Sequence, residues 1–438
     1  MKRFTVVSLA IVVSLVFLAT SAQAVTEIQW WFAHGGRLGE KVQSIVADFN
    51  RLQNEYKVVA TYKGNYSDTM MAGIAAFRAK TPPHILQVFE VGTASMMAAK
   101  GAIKPVYEVM AEAGLPWDPN AYLPTVAGYY TTADGKMLSL PFNSSTPVLY
   151  YNEDAFIKAG LNPDKPPKTW AEVEAYAKKL VAAGYPGGFS TAWISWIQLE
   201  NFSAWHNIPF GTQANGFDGM DTEFVFNSPL HVRHIQNLAN WQKDKVFIYG
   251  GRRNKGNAKF SSGEVAMYTE SSAGYAGFKK TCNFPFRTSM LPYYDDVPGA
   301  PQNTIIGGAS LWVMAGHTKE EYKGVATFFN YLSSPAVQAD WHQFTGYLPI
   351  TTDAYYLTKG QGVYEKSPGM ETALKQMTLN KPTKNSRGLR FGNFVQMRDI
   401  IYDTLEGIFT EKMTAQEGLD EAVAKGNRLL RKFESANK

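Results

Sequence analysis

The chain has 438 residues, of which 45% are hydrophobic and 18% charged, and its formal net charge is +5 at pH 7. Residues 1–24 have the features of a secretory signal peptide: Lys2 and Arg3 come first, an apolar run from Phe4 to Ala19 follows, and Ala22-Gln23-Ala24 is the cleavage site. Removing Lys2 and Arg3 with this leader lowers the charge from +5 to +3, which gives no reason to expect nucleic acid or an anionic membrane as a partner. We expect a free, exported protein in a bacterial periplasm.

Strand and helix patterns alternate from the start of the predicted mature chain. EIQWWF (27–32), KVVATY (57–62) and HILQVFE (84–90) are typical of strands, and helical patterns separate them. This alternation predicts a mostly parallel, doubly wound sheet, in which ligands bind beyond the carboxyl ends of the strands. Glu90 closes the third strand, so we expect it at that edge.

The middle and end of the chain carry clear helix signals. Thr169 and Glu172 form a capping box that opens one helix, and Ser228-Pro229 opens another. Between them, WISWIQLENFSAWHN is apolar on nearly every face, which indicates a helix pressed between the core and a further surface. Two helices, at about 392–410 and 415–433, are predicted to finish the chain.

The segment PFNSSTPVLYYNEDAF (141–156) combines turn residues with a strand that runs into an Asn-capped helix. No Pro/Gly/Ser-rich linker divides the chain, although its length exceeds what a single core usually sustains. A chain that crosses several times between two lobes through short strand-like hinges would satisfy both facts. PFNSSTPVLYY is a candidate crossing, and IIGGASLWV is a second one in which Gly307 and Gly308 supply backbone freedom.

Motifs of enzymes and metal sites are mostly absent from the sequence. There is no GxSxG, HExxH, Walker or GxGxxG motif, and the single Cys282 can form no internal disulfide. His231 and His234 have a spacing that could serve a metal, but a solvated helix face is the preferred interpretation. The basic loop 251–259 is likewise interpreted as a solvated surface.

Aromatic residues stand at the ends of predicted elements. Tyr66 starts a helix, Trp170 occupies the first position of a capped helix, and Tyr347 follows Gly346 in a turn. Each alone is more often a packing residue than a ligand contact, because aromatics dominate cores. Together they indicate a cleft.

Several segments, spread over essentially the whole mature chain, resemble one protein family. TYKGNY, QVFEVGTA, PFNSSTPVLYYN, QNTIIGGASLWVM and TGYLPIT are similar to segments of the extracellular solute-binding proteins of bacterial ABC importers. The resemblance is to the maltodextrin-type branch, and within it to members that take up glycerol phosphate esters. It implies an α/β fold of two lobes (class II type) joined by hinge strands around a ligand cleft, and contacts to the ligand from Tyr66, Glu90, Ser145, Trp170, Ser271, Gly308, Tyr347 and Arg398.

These residue types suit a phosphate ester. Arg398 offers a permanently charged fork, while the hydroxyls and the N–H of Gly308 offer neutral donors. Glu90 about 6 Å from a phosphate would cost about 3 kcal/mol per unit charge at an effective dielectric near 20, so we expect it at the opposite end of the ligand, accepting from hydroxyls. There are alternatives to these roles. Arg398 could pair with Asp399, Asp403 or Glu406 on its own helix, and Glu90 could cap the helix after it. The serines Ser144, Ser145 and Ser271 could be turn residues that satisfy backbone groups.

The resemblance therefore implies a periplasmic binding protein that captures sn-glycerol-3-phosphate or glycerophosphodiesters such as glycerophosphocholine and delivers them to an ABC permease. It would be a monomer and not an enzyme, with no cofactor, metal or nucleic acid. We expect residues 25–145 plus 308–348 to form the N-terminal lobe and residues 146–307 plus 349–438 the C-terminal lobe, with hinges near 143–146, 305–309 and 347–350. Capture of a neutral oligosaccharide by the same fold is the alternative, and a secreted phosphodiesterase is a third possibility that lacks metal ligands or an activated nucleophile in the sequence.

Overall fold

The computed structural model describes residues 25–367 and 369–438. The predicted signal peptide lies outside the described residues. Among the helices of the described ranges, none combines the length and the apolar character needed to cross a bilayer.

Two β-sheets organise the fold. In chain order the strands are β1 (Thr26–Phe32), β2 (Tyr56–Tyr62), β3 (Ile85–Phe89), β4 (Ile103–Lys104), β5 (Leu140–Ser145), β6 (Pro147–Asn152), β7 (Gly187–Thr191), β8 (Val265–Ser271), β9 (Phe286–Ser289) and β10 (Gly307–Met314). The first sheet has the order β2-β1-β3-β10-β4, with β5 also paired to β10, and the second has the order β7-β8-β6-β9. The predicted parallel pairing of the first three strands is confirmed, whereas β10 runs antiparallel to β3, β4 and β5.

Helices cover both sheets. The α-helices are Gly36–Leu52, Tyr66–Arg78, Thr93–Ala98, Val106–Glu112, Pro124–Tyr130, Glu153–Lys158, Trp170–Ala182, Phe202–Trp205, Thr212–Gly216, Pro229–Lys243, Asn257–Ser261, Gly274–Thr281, Lys319–Leu332, Pro335–Thr345, Thr352–Gly360, Val363–Lys366, Thr372–Met377, Phe394–Phe409 and Ala415–Asn437. Glu90–Gly92 and Pro119–Ala121 are 3-10 turns, and Trp196–Asn201 is a π-helical segment.

Alternation along β1 shows why the first sheet forms. Ile28, Trp30 and Phe32 are buried, while the residues between them are more exposed. One face of the following helix, Gly36–Leu52, buries Val42, Ile45, Val46 and Phe49. Side chains on one face of a strand recur every two residues, and those on one face of a helix recur about every 3.6 residues. Each element therefore has one apolar face, and the apolar face of the strand packs against that of the helix.

The predicted helix starts are confirmed where the capping chemistry is strong. The Thr169 side chain accepts a hydrogen bond from the Glu172 N–H, and Glu172 in turn accepts from the Thr169 N–H, as a capping box requires. The helix at Pro229–Lys243 begins directly after Ser228. The C-terminal helices predicted at 392–410 and 415–433 are observed at Phe394–Phe409 and Ala415–Asn437.

The chain crosses between the two sheets at Thr146. β5 pairs with β10 in the first sheet, and β6, which starts one residue later, pairs with β8 and β9 in the second. Gly307 and Gly308 lie opposite Ser145 and Ser144 across the β5–β10 pair. The N–H of Leu348 donates to the carbonyl of Ser144 at 2.7 Å. Segments 143–146, 307–308 and 348 thus meet at one place between the sheets.

Candidate ligand-binding site

A cavity of about 300 Å³ lies where the ends of these strands meet. Seven of the eight residues named from the sequence line it. They come from the carboxyl end of β3, the end of β5, the end of β8, the start of β10, two helices and the turn after Gly346. The seven are Tyr66, Glu90, Ser145, Ser271, Gly308, Tyr347 and Arg398.

Gly308 occupies a backbone position that only glycine tolerates. Its φ is +102°, and a Cβ built there would lie 1.9 Å from the carbonyl oxygen of Asn143. No shift of a flexible side chain can relieve this contact, because the obstructing atom belongs to the backbone of β5. The glycine therefore allows the two crossing segments to approach each other at the cavity wall.

A buried hydrogen-bond network holds the two tyrosines of the site. The Gln87 side-chain amide donates to the Asn143 oxygen at 2.8 Å and contacts Nδ1 of His34 at 3.1 Å. Burial lowers the pKa of His34 to about 3, so the ring is neutral at physiological pH. With Nδ1 accepting, Nε2 carries the proton and faces the Tyr347 hydroxyl at 3.1 Å.

The network supplies a donor to each hydroxyl. Asn143 donates to the Tyr66 oxygen at 2.9 Å, and His34 donates to the Tyr347 oxygen. The two hydroxyl oxygens also lie 3.4 Å apart, so one of them donates to the other and the second proton is left for another acceptor. Burial raises the pKa of Tyr347 to about 12 and that of Tyr66 well above its usual value, so both stay protonated. The sequence offered no signal for His34 or Gln87, which the sheet brings in from other strands.

Arg398 is held by two carboxylates. Its Nε and Nη2 donate to the two oxygens of Glu200 at 2.8 and 2.6 Å, and Nη2 also donates to Glu90 at 2.6 Å. All three side chains are buried, with residue exposures of 7%, 1% and 4% for Arg398, Glu200 and Glu90. The expectation that Glu90 and Arg398 grip opposite ends of the ligand is therefore wrong, since the two side chains are in direct contact.

The contacts in the structure also decide between the alternative roles considered for Arg398, Glu90 and Ser145. Asp403 and Glu406, the suggested partners of Arg398, are instead paired with Arg252. No side chain caps the short helices after β3, so Glu90 is not a helix cap. Ser145 lies within β5 and not in a turn.

The charge balance of this cluster differs from the one expected. Burial opposes ionisation of Arg398, but Glu200 and Glu90 more than offset it and hold its pKa above the usual value. Burial raises the pKa of Glu90, and Arg398 partly offsets that rise. One guanidinium faces two carboxyl groups, so the cluster supplies no net positive charge. Any anion in the cavity therefore depends on neutral donors more than the sequence suggested.

Glu200 was missed because its role depends on an unusual backbone. It lies in the π-helical segment Trp196–Asn201, and Ser195 donates to it at 2.8 Å. The wider turn of a π-helix changes which side chains share a face, and such segments often occur at functional sites. The same segment brings Trp196 to the cavity beside Trp193. The all-round apolar character of this stretch was the one signal present.

Trp170 lies outside the cavity. It is 3% exposed and packs against Phe189, His234, Trp241 and Tyr294 in a core. The indoles that line the cavity are Trp193 and Trp196. The position of Trp170 does not fit the ligand contact implied by the resemblance, because a first-turn residue pointing into a core looks the same in sequence as one pointing into a cleft.

One surface interpretation is corrected as well. His231 and His234 are fully buried, with His231 bonded to Ser203 at 2.7 Å and His234 to Gln198 at 2.9 Å, so their helix face is not solvated. The basic loop 251–259 is largely exposed or half-buried, and two of its residues, Asn254 and Asn257, also line the cavity.

One cluster has the residue types of a metal site. The donor atoms of His84, His317 and Glu321 lie within 4.8 Å of one another. However, the N–H of Gln29 donates to Nδ1 of His84 at 3.0 Å, which leaves the proton on Nε2, the nitrogen that faces Glu321. A histidine that binds metal through Nε2 carries its proton on Nδ1, so these residues do not fit an ion.

A half-open cavity between two sheets, lined by aromatic side chains and a few converging polar groups, is typical of a binding protein for a small solute. The model of the family described as bacterial extracellular solute-binding protein matches residues 44–372, and the chain belongs to this family.

Full-length relatives agree with that assignment. The chain is 52% identical over 433 residues to the sn-glycerol-3-phosphate-binding periplasmic protein UgpB of Yersinia pestis bv. Antiqua (strain Antiqua), covering 99% of this chain and 98% of the relative. It is 52% identical over 437 residues to the protein of the same name from Salmonella typhimurium (strain LT2), covering 100% and 99%. The predicted periplasmic location is confirmed by this relationship.

Solved structures agree on the fold. UgpB from Mycobacterium tuberculosis in complex with glycerophosphocholine has a TM-score of 0.78 at 20% identity, covering 93% of this chain and 98% of that one. The maltose-bound MalE3 of T. maritima has a TM-score of 0.74 at 19% identity, covering 93% and 100%. The predicted two-lobed α/β architecture of periplasmic binding proteins is confirmed.

Proposed function

We propose that this protein captures sn-glycerol-3-phosphate and glycerophosphodiesters such as glycerophosphocholine and delivers them to an ABC import permease. The observation that carries the proposal is the meeting of Tyr66, Glu90, Ser145, Ser271, Gly308, Tyr347 and Arg398 on one cavity of about 300 Å³. The 52% identity to glycerol-3-phosphate-binding relatives over their full length supports the same ligand.

Neutral donors hold the phosphate in this proposal. Ser145, Ser271, Gly308 and Tyr347 all line the cavity, and we assign their hydroxyls and the Gly308 N–H as donors that carry no counter-charge. The Ser271 oxygen accepts from the N–H of Ala273 at 3.2 Å, which leaves its own proton for the ligand. Hydrogen bonds from such donors to an anion are stronger than neutral pairs.

Glu90 and Arg398 act as a pair toward the glycerol part. Glu90 uses Oε1 for Arg398, so Oε2 is left to accept from a ligand hydroxyl. Arg398 uses Nε and Nη2 for the carboxylates, so Nη1 is left to donate. The pair thus offers one acceptor and one donor side by side, which suits a vicinal diol or a hydroxyl beside an ester oxygen.

The lobes divide, in our proposal, as 25–145 plus 308–348 and 146–307 plus 349–438. Glu90 follows β3 of the first sheet, whereas Ser271 ends β8 of the second, so a ligand that contacts both favours the closed form. Moving the equilibrium from 1:99 to 99:1 closed takes a preference of about 5.5 kcal/mol for that form. The protein acts as a monomeric carrier and not as an enzyme, and the permease takes over the closed form.

Calorimetric titration with sn-glycerol-3-phosphate, glycerophosphocholine, glycerol, inorganic phosphate and maltose tests the proposal. We expect the two phosphate esters to bind, glycerol and phosphate to bind far more weakly, and maltose not to bind. Native mass spectrometry of protein purified from its own periplasm should show a glycerophosphate ester bound and intact. Tight binding of maltose with no response to either ester would favour the oligosaccharide alternative, and recovery of cleaved diester would favour a hydrolase.

A further inference from the structure

Glu270 lies at the end of β8, and its carboxyl group forms no ion pair with any residue in the described part of the chain. The residue is 2% exposed and lines the cavity. Oε1 accepts a hydrogen bond from the N–H of Ser271 at 2.6 Å, but Oε2 is buried without any hydrogen-bond partner in the described part of the chain. Buried polar atoms nearly always have a partner, so an unpaired one at a cavity wall indicates a place for a ligand atom.

The groups that face Glu270 include no cation close enough to hold it ionised. Tyr150 and Tyr268 on the two central strands and Tyr347 in the turn after Gly346 are the titratable neighbours, and each has a raised pKa. Asn257 and Trp193 are neutral neighbours of the carboxyl group, and the helix Gly274–Thr281 packs against the side chain through Gly274. Arg37, Arg398 and Glu90 line the same cavity, yet none of the three sets the charge of this carboxyl.

Burial therefore determines the state of the group. It raises the pKa of Glu270 to about 8, although the hydrogen bond from the Ser271 N–H and the nearby side chains of Asn257 and Trp193 partly offset the rise. At neutral pH most molecules carry a carboxylic acid here. Because Oε1 accepts from Ser271, the acid presents its O–H at Oε2, where it can only be satisfied by an acceptor.

The neighbours of Glu270 indicate which acceptor this is. Ser271, Ser145 and the N–H of Gly308 line the same cavity and are donors. A set of converging donors fits an anionic oxygen, and an ionised carboxylate among them would repel it.

We propose that Glu270 contacts the ligand as a neutral carboxylic acid, donating a hydrogen bond from Oε2 to an anionic phosphate oxygen, so that capture at alkaline pH takes up one proton from solvent. The inference rests on the proposed function, since it assigns one further contact in the same site. If Glu270 makes this contact, ligand affinity depends on pH because Glu270 titrates, and not because the ligand does.

Titration with glycerophosphocholine separates a pH effect of the protein from a pH effect of the ligand. A phosphate monoester titrates near pH 6, whereas a diester keeps one negative charge over the whole range used. Calorimetric titrations from pH 6.5 to 9.5 in buffers of different ionisation enthalpy give both affinity and the number of protons taken up. We expect affinity about tenfold lower at pH 9 than at pH 7, with nearly one proton taken up per ligand at pH 9.

Two variants assign the effect to Glu270. Glu270→Gln keeps a neutral donor but cannot ionise, so its affinity should be a few-fold lower at pH 7, independent of pH, and higher than that of the natural protein at pH 9. Glu223→Gln, the same change at an exposed residue away from the cavity, should keep the natural pH dependence.

A constant affinity with no proton uptake in the natural protein would overturn the inference, whether or not the Glu270 variant folds. So would a Glu270→Gln protein that keeps the natural slope, because the proton would then belong to another group. If the natural protein binds neither ester at pH 7, the proposed function itself fails and this contact fails with it.

Discussion

Replacement of Arg398 by alanine tests the buried ion cluster directly. The change removes the guanidinium and its three hydrogen bonds, and leaves Glu90 and Glu200, 4% and 1% exposed, without a counter-ion. Breaking a buried ion pair by removing one partner typically costs about 3–5 kcal/mol, because an uncompensated charge remains in a low dielectric. We expect the free energy of unfolding at pH 7, measured by urea denaturation, to fall by about that amount.

The loss should depend on pH in a definite direction. Burial raises the pKa of Glu90, and without Arg398 no neighbouring cation offsets the rise above the unfolded value of about 4.3, so the folded state binds this proton more tightly than the unfolded state. Stability of the variant is then retained below the unfolded pKa and lost as the pH rises through the folded pKa. The difference in the free energy of unfolding between the variant and the natural protein should be larger at pH 7 than at about pH 4.5.

Two controls make the result decisive. Arg51→Ala breaks an exposed ion pair with Asp48 and should cost less than about 1 kcal/mol. Combining Arg398→Met with Glu200→Gln removes one buried charge of each sign and should recover part of the loss. If Arg398→Ala costs no more than the surface control, or its loss is the same at pH 4.5 and pH 7, the cluster is not the buried ion pair that its geometry indicates.

Three further predictions concern single residues of the site. Gly308→Ala should lower the free energy of unfolding by roughly 2–4 kcal/mol and should also lower ester affinity, because the added Cβ would lie 1.9 Å from the Asn143 carbonyl oxygen. The control is Gly128→Ala, where no atom lies within 4 Å of the added Cβ; it should be neutral or slightly stabilising in the same urea titration. Trp170→Ala should cost about 3–5 kcal/mol of stability by opening a cavity, yet calorimetry on the folded protein should give ester affinity within a few-fold of normal; a complete loss would restore its predicted contact. Tyr347→Phe should weaken ester binding about 10- to 100-fold, because one hydrogen bond to an anion is lost, and unchanged affinity would show that its hydroxyl does not face the ligand.

Local periodicity carried the fold prediction. The alternation of strand and helix patterns over the first three strands predicted their parallel pairing and the position of Glu90 at a carboxyl edge, because both depend on residues close together in the chain. The crossing at PFNSSTPVLYY was predictable for the same reason, since turn residues and a strand adjoin there. β10 was harder to place, because its antiparallel pairing with β3 joins segments more than two hundred residues apart.

For the site, only the identity of the lining residues could be predicted. The resemblance named seven residues that line the cavity, but it could not give their charge balance, which depends on a contact between Glu200 and Arg398 across 198 positions. The sequence could not distinguish the core position of Trp170 from the cavity positions of Trp193 and Trp196, since all three are tryptophans near the ends of elements. His231 and His234 were misplaced because polar neighbours suggested an exposed face, whereas both rings are fully buried and hydrogen-bonded.

Only Thr146 separates β5 from β6, and a connection of one residue has no length to vary. An inserted or deleted residue there would move Ser145 relative to the second sheet and turn every side chain of β6 to the opposite face. During divergence of the family, changes of chain length must therefore accumulate in other connections. At this point the ligand preference can evolve only by substitution, one side chain at a time.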